Sequence, residues 1–367
     1  MTVGRERRSL RALIAANSSL LAAKVAERSA ETGEHYITRT AAEYRAMVGK
    51  AAGGGLVMAF TTLMKFGLAA LALSAFWSGF WAGMNYAVSF VLVQLLHFTV
   101  ATKQPAMTAP AMAAKLKDLR TDEAVQAFVD EVACLVRSQV AAVLGNVLVV
   151  FPLVVCITAG IAWFSGQPAI TPTQAQHVLH SLHLLGPSLL FAAFTGVLLF
   201  ASSIIAGWAE NWFVLQRLDS ALEYNPRITR LLGVRRAARW AHFLRENLSG
   251  FAANISLGFM LGLVPVFAAF FGLGLDVRHV TLSTGQMGAA ATALGWSVLH
   301  QPAFWWAAAT LPLLGALNVS VSFYLAFRLA LRAHNVSGVE RAHIYRALRA
   351  RLRRAPLGFF MPVRTTP

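Results

Sequence analysis

Polar and apolar positions separate into long blocks along this chain rather than alternating. Five stretches, 79–100, 140–164, 187–208, 249–272 and 303–327, each run 22 to 25 residues with no Asp or Glu. A helix rises 1.5 Å per residue, so about 20 apolar residues cross a hydrocarbon layer of about 30 Å. A sixth stretch, 56–76 (LVMAFTTLMKFGLAALALSAF), is apolar enough despite Lys65. Only the Trp-flanked "FWSGFW" at 76–81 separates it from the next, which predicts a tight helical hairpin with aromatics at the membrane interface.

One further apolar run, "TLSTGQMGAAATALGWSVLH" (281–300), precedes the last span. Its small residues, Gly285, Gly288, Ala289–Ala291 and Ala293, suit close packing inside a bundle. It is expected to be a re-entrant or interfacial helix on the outer face. The connecting segments read as helical too. Residues 121–138 open with a Thr cap and an acidic first turn, and 209–248 break at "NPR" (225–227) into two short amphipathic helices. "AAGGGL" (51–56) lacks the Lys-Ser/Thr ending and the preceding strand of a phosphate-cradling loop, so it is expected to be a flexible lead-in to the first span. "LRENLSG" (244–250) and "LRAHNVSG" (331–338) echo each other too loosely to indicate a duplication.

Composition sharpens this picture. Of 367 residues 57% are hydrophobic and 13% charged, and the mean hydropathy is +0.57. Soluble domains carry about 25% charged residues, so this surface belongs in lipid. The formal net charge is nevertheless +16, and 30 of the 32 Lys and Arg fall on one alternating set of loops. The positive-inside rule then places both termini in the cytoplasm. The expected fold is all-α and integral to the membrane: six transmembrane helices, N-in and C-in, with the re-entrant or interfacial helix before the last span. Three parts follow: a cytoplasmic helical segment, 1–55; a six-span domain, 56–327, with cytoplasmic helical loops at about 101–139 and 209–248; and a basic cytoplasmic tail, 328–367. No secretory signal precedes residue 36, and the expected location is the bacterial inner membrane, multi-pass.

Candidate chemistry is sparse. Lys65 sits in the middle of a span, where a charge is costly and marks a functional site unless it snorkels. Asn85, Gln94, His97, Asn146, Asn254 and Asn318 are also membrane-embedded, either as interhelical hydrogen-bond glue or as a polar translocation path. Gly79/Gly83 and Gly258/Gly262 are small-xxx-small pairs, read as packing seams. Asp276, Arg278 and His279 form a charged cluster expected at the outer mouth, a loop-fixing ion pair or a ligand gate. His177 and His180 share a helical face without an acidic or Cys partner, so they are only a weak metal pair. Cys134 and Cys156, 22 residues apart on one helix, would lie about 33 Å apart, beyond disulfide reach. No cofactor is implied. "HIYRALRARLRRAP" (343–356) carries Arg346, Arg349, Arg351, Arg353 and Arg354, suited to anionic phospholipid or to nucleic acid. Beside them Leu348, Leu352, Leu357, Phe359 and Phe360 are placed to dip into the interface.

Several runs resemble a bacterial membrane-protein family labelled "site-specific recombinase". They are "GEHYITRTAAEYRAM" (33–47), "ENWFVLQRLDSALEYNPR" (210–227), "FLRENLSGFAANISLGFMLGLVPVFAAFFGLGLDVRHVTLSTGQ" (243–286), "ALGWSVLHQPAFWW" (293–306) and "LNVSVSFYLAFRLALRAHNVSGVERAHIYRALRARLRRAPLGFFMP" (317–362). The resemblance implies that this chain is the C-terminal membrane half of longer relatives, and its label implies DNA rearrangement. Strand exchange needs a nucleophile with Arg and His to stabilise charge on the phosphate. The H-x-x-R boxes of tyrosine recombinases have two counterparts, His242 to Arg245 and His343 to Arg346. With 10 His and 26 Arg in the chain, chance alone supplies such boxes. No tyrosine follows Arg346, so only Tyr345, inside the second box, is left as a nucleophile there. The residues therefore favour a transport, lipid-handling or scaffold role without a catalytic site. The alternative is a membrane-tethered recombinase, the one reading with DNA as partner. The expected partner is the anionic bilayer, and homo-oligomerisation is left open.

Overall fold

The structure, a computed structural model, describes residues 36–101, 108, 109, 111, 112, 115, 121–333 and 341–361. Every regular element among them is helical. In chain order these are α1 (Ala41–Ala70), α2 (Ala75–Leu95), α3 (Asp122–Ser165), α4 (Pro172–Ser181), α5 (Ser188–Leu215), α6 (Leu218–Tyr224), α7 (Pro226–Leu232), α8 (Val234–Phe270), α9 (Val280–Leu294), α10 (Pro302–Ala333) and α11 (Arg341–Arg354). Short 3₁₀ turns lie at Gly295–His300 and Pro356–Phe359. Five helices, α1, α3, α5, α8 and α10, are long and apolar enough to cross a membrane. The 21-residue α2, which carries Asn85, Ser89 and Gln94, packs against α1 and α8 and is not among these five. Mid-helix Leu148, Val88 and Phe60 lie on the outside of the bundle, 66%, 59% and 56% exposed. An apolar surface of this kind needs lipid against it.

Helix starts follow capping chemistry. Thr40 and Glu43 close a capping box on α1, Thr121 caps α3 above Asp122 and Glu123, and Thr171 and Gln174 box α4. Asn225 ends α6 and caps α7, so the break expected at "NPR" is where the chain turns. The first hairpin turn, by contrast, is Leu71–Ser74, and "FWSGFW" lies inside α2. Phe76, Trp77, Phe80 and Trp81 touch along one helix, and Phe80 also meets Phe259 of α8, so these rings stabilise helix rather than turn.

"AAGGGL" is no flexible lead-in. It lies within α1, where a Cβ on Gly54 would collide with the Thr99 carbonyl, and one on Gly55 would sit 2.6 Å from the Asn146 carbonyl. The glycines let α3 and the chain after α2 approach α1 backbone to backbone. Gly79 and Gly83 meet Gly258 and Gly262 across the α2–α8 crossing, so that seam lies within the chain.

The element that does most to define the architecture is α9. Residues 280–285 and 287–290 are all buried, with α9 packed on α1, α3, α4 and α10. Gly288 lies against Phe151 and Val154, and the Thr158 and Thr292 hydroxyls lie 2.9 Å apart, so α9 runs parallel to α3 inside the bundle. It is therefore not a helix lying on the surface. The backbone from 273 to 279 is not helical and leads from the end of α8 down to the first residue of α9.

Candidate functional site

Two asparagines are 0% exposed and organise the interior. Asn146 of α3 accepts from the Ala101 N–H at 2.9 Å and donates to the carbonyls of Thr99 at 2.9 Å and Ala51 at 2.6 Å. Asn318 of α10 accepts from the Val280 N–H at 3.0 Å and donates to the carbonyls of Arg278 and Ala192, both at 2.9 Å. The two patterns superimpose term by term. Each amide takes the N–H of one residue and the carbonyl two residues earlier in the segment after a helix. Each also donates to a carbonyl four residues before a glycine, Gly55 or Gly196, that lies against the asparagine's own backbone.

The correspondence extends to whole helices. Gly145 meets Val48 and Ala51 while Gly55 meets Val149, so α1 and α3 run parallel. Asn318 meets Ala192 and Val321 meets Gly196, so α5 and α10 run parallel as well. Gly79 meets Val266 while Ala87 meets Gly258, so α2 and α8 run antiparallel. The hairpin α1–α2 reverses direction, and the Arg278 N–H after α8 donates to Thr195 near the start of α5. The first three helices thus run up, down, up, and the second three run down, up, down. Residues 36–165 and 188–333 form two inverted copies of one three-helix unit, with α2 and α8 facing each other between them. Ala109 packs on Phe200, Phe323, Ala326 and Phe327 of the opposite unit, and Met112 is buried beside it, as α9 is buried against α1 and α3.

Around the start of α9 the chain gathers polar groups. His279 is 2% exposed, at the N-cap and 6.0 Å from the Phe90 ring. Arg278 is bound to Asp276 at 2.5 Å, stands over the Phe191 ring at 5.6 Å and reaches the Ser181 carbonyl at 3.5 Å. The cluster Asp276, Arg278, His279 is thus divided: an ion pair holds the descending segment, and the imidazole goes into the interior. Thr281 and Ser322 are each 0% exposed, with hydroxyls that have no partner among the described residues. A buried polar group left unpaired costs about 1–3 kcal/mol.

The other embedded amides act as glue. Asn85 donates to the Thr61 carbonyl at 2.9 Å, and Asn254 donates to Gln94 at 2.6 Å, which donates in turn to Asn247 at 3.2 Å. His97 is exposed in a left-handed turn after α2, and Lys65 is half-buried with no ion pair among the described residues. His177 and His180 are exposed on α4, and among the described residues no three His, Cys, Asp or Glu cluster as metal ligands do.

At the basic end, residues 36–39 lie along α3 below its apolar stretch. The Thr38 N–H donates to Ser138 at 2.7 Å, and the Arg137 guanidinium, 7% exposed with its residue, donates to the carbonyls of Thr38 and Arg39. Glu131 accepts from Arg39 and Lys115, each at 2.5 Å. Burial pushes this carboxyl up, but the hydrogen bonds and charges of Arg39 and Lys115 outweigh it and hold it below its ordinary range. The tail folds back here. Ala347 and Leu348 of α11 pack on Val125 and Val129, Arg351 pairs with Asp130 at 2.7 Å, and Phe359 is buried. Leu348 and Phe359 are therefore taken up by protein contacts, while Leu352, Leu357 and Phe360 stay exposed with Arg346, Arg349, Arg353 and Arg354.

The recombinase candidates do not assemble. His242 pairs with Glu246 at 3.1 Å and Arg245 with Asp219 at 2.6 Å, all on the surface of α6 and α8. α11 packs instead on α3, and the side chains of His343 and Tyr345 lie outside the described residues.

Fold and interior together define an all-helical protein of the multi-pass membrane class, built around a broken segment buried in its bundle. The profile of the family described as "Site-specific recombinase" matches residues 1–362, and the chain belongs to that family. No curated protein and no solved structure matches it.

Proposed function

We propose that this protein is a transporter of small polar solutes in the bacterial inner membrane, with six spans and both termini in the cytoplasm. The inverted pair of three-helix units carries this reading. Inverted repeats that face each other across discontinuous helices recur in membrane transporters, where the substrate site lies near the bilayer midplane at the ends of the broken helices. Non-helical backbone at membrane depth is tolerated where protein or a water-filled path surrounds it, and residues 273–279 descend in that way. The 15 residues of α9 extend about 22 Å, so its first residue lies past the midpoint of a hydrocarbon layer of about 30 Å. On the cytoplasmic side the exposed arginines of α11 face anionic phospholipid, each contributing about 1 kcal/mol.

The test is flux through purified full-length protein in proteoliposomes, recorded electrically for ionic solutes and by swelling for neutral ones. A saturable, protein-dependent signal for at least one solute is expected, and Tyr345→Phe with Arg346→Ala should leave it unchanged. Silence across both panels would sink the reading. The family description favours recombination instead. That reading requires DNA crosslinked to the protein in cells, lost when Arg346, Arg349, Arg351, Arg353 and Arg354 are neutralised.

A further inference from the structure

We infer that the start of α9 binds a small anion, of halide or nitrate size, enclosed within the bundle. A helix begins with N–H groups that its own first turn cannot satisfy, and they form the positive end of its dipole. In α9 the Val280 N–H donates to Asn318, and the Ser283 N–H donates to the His279 carbonyl at 2.9 Å. The two N–H groups between them, of Thr281 and Leu282, meet no acceptor among the described residues. Both residues are buried, at 0% and 5% exposed, and the His279 side chain gives no cap.

A second observation points to the same place. Buried hydroxyls on these helices, Thr61, Thr62, Thr158, Thr195, Thr284 and Thr310 among them, donate to the carbonyl four residues back. Thr281 and Ser322 do not, and no other group among the described residues takes their hydroxyls. For Thr281 the residue four back is Val277, in the segment before the helix. Its Cα–Cβ bond tilts toward the helix start, which leans the hydroxyl to the open end. Ser322 approaches from the other side. It lies one turn beyond Asn318 on the same face of α10, and α10 runs antiparallel to α9. One turn beyond the residue that holds the Val280 N–H is therefore just past the first residue of α9.

Two backbone N–H groups and two hydroxyls thus converge on one end of a dipole, and all four are donors. No Asp or Glu lies within the six apolar stretches, and the one carboxylate of the descending segment, Asp276, is held by Arg278. Donors gathered at the positive end of a helix dipole, with no free carboxylate facing them, select a negatively charged acceptor over a neutral one. Thr281, Leu282 and Ser322 are all buried, which excludes a headgroup or a nucleotide and limits the ligand to a few atoms. This inference deepens the transport reading, from which it takes the position of the site in the membrane, but binding itself does not require transport.

The experiment uses the full chain in nanodiscs, heated in sodium chloride, bromide or nitrate, with gluconate replacing each at constant ionic strength. Saturable stabilisation by the small anions, absent in gluconate, is expected, and Thr281→Val with Ser322→Ala should raise the half-saturating concentration at least tenfold. Thr281→Ser, which keeps the hydroxyl, should stay near wild type. Equal stabilisation by every salt, or a response indifferent to the substitutions, would overturn the site. Should the double variant fail to fold, bromide anomalous scattering from wild-type crystals decides. A peak at the Thr281 and Leu282 amides supports the site, and peaks only elsewhere refute it. Anion binding without flux would leave the site standing and remove the transport reading, whereas flux with no anion dependence would do the reverse.

Discussion

Asn146 and Asn318 show how one side chain can fix a backbone that has no regular partner. Each amide satisfies three buried main-chain groups, and hydrocarbon offers those groups no substitute. Asn318→Ala should destabilise the folded protein by about 3 kcal/mol or more, since a buried amide is lost and three groups are left unpaired. Asn85→Ala, which removes a single bond to the Thr61 carbonyl, should cost about 1 kcal/mol. Thermal unfolding in detergent separates the two. Glu131 supplies a pH dependence at the same scale. Its carboxyl titrates below the ordinary range in the folded state, so its contribution is present above the usual carboxylate pKa and is lost as pH falls through the lower, folded value. Glu131→Gln should therefore lower stability near neutrality and flatten the acid limb, readable as protease nicking of residues 36–39 against pH.

Among the elements, glycine decides which helices can cross closely. Gly54 and Gly55 bring α1 onto the Thr99 and Asn146 carbonyls, and Gly285 makes room for the Thr62 side chain between α9 and α1. Gly285→Leu should push α9 off α1 and expose the descending segment. The expected result is faster hydrogen exchange at 280–290, with the far seam at Gly258 and Gly262 unchanged. Gly67→Ala, where a Cβ would meet nothing, should be neutral or slightly stabilising because it lowers the entropy of the unfolded helix.

For the whole molecule, the proposed transport reading expects the two ends of the bundle to exchange roles. Six crossings also make a direct prediction about sidedness. Single cysteines at Gln167 and Trp296 should react with an impermeant maleimide from the periplasm, and cysteines at Arg235 and Arg353 only after the membrane is opened. Labelling of Arg353→Cys in intact spheroplasts would contradict six spans. Mixed labelling at Leu282→Cys, dependent on a transported solute, is the signature expected of an alternating mechanism.

Much of this was legible along the chain. Hydropathy is a local quantity, so the long apolar stretches show without a partner. Thr40, Thr121 and Asn225 mark helix ends because capping is also local. Small residues at 281–300 announced close packing, and Asn146 and Asn318 are two of six membrane-embedded polar residues with nothing in the sequence to set them apart. The tertiary structure alone decided what those residues hold. The two units share geometry rather than letters: Asn146 and Asn318 repeat one hydrogen-bond pattern within different sequences, so no echo along the chain reveals it. "AAGGGL" is as compatible with a loose segment as with a helix crossing, until α3 and the Thr99 carbonyl are set against it. The donors at the start of α9 come from helices that meet only when α10 lies antiparallel to α9. Local patterns indicate which apolar elements exist and mark the ends that are capped, because each depends on a few neighbours in sequence. Which unsatisfied groups face one another depends on distances across the chain, and only the packed bundle sets those.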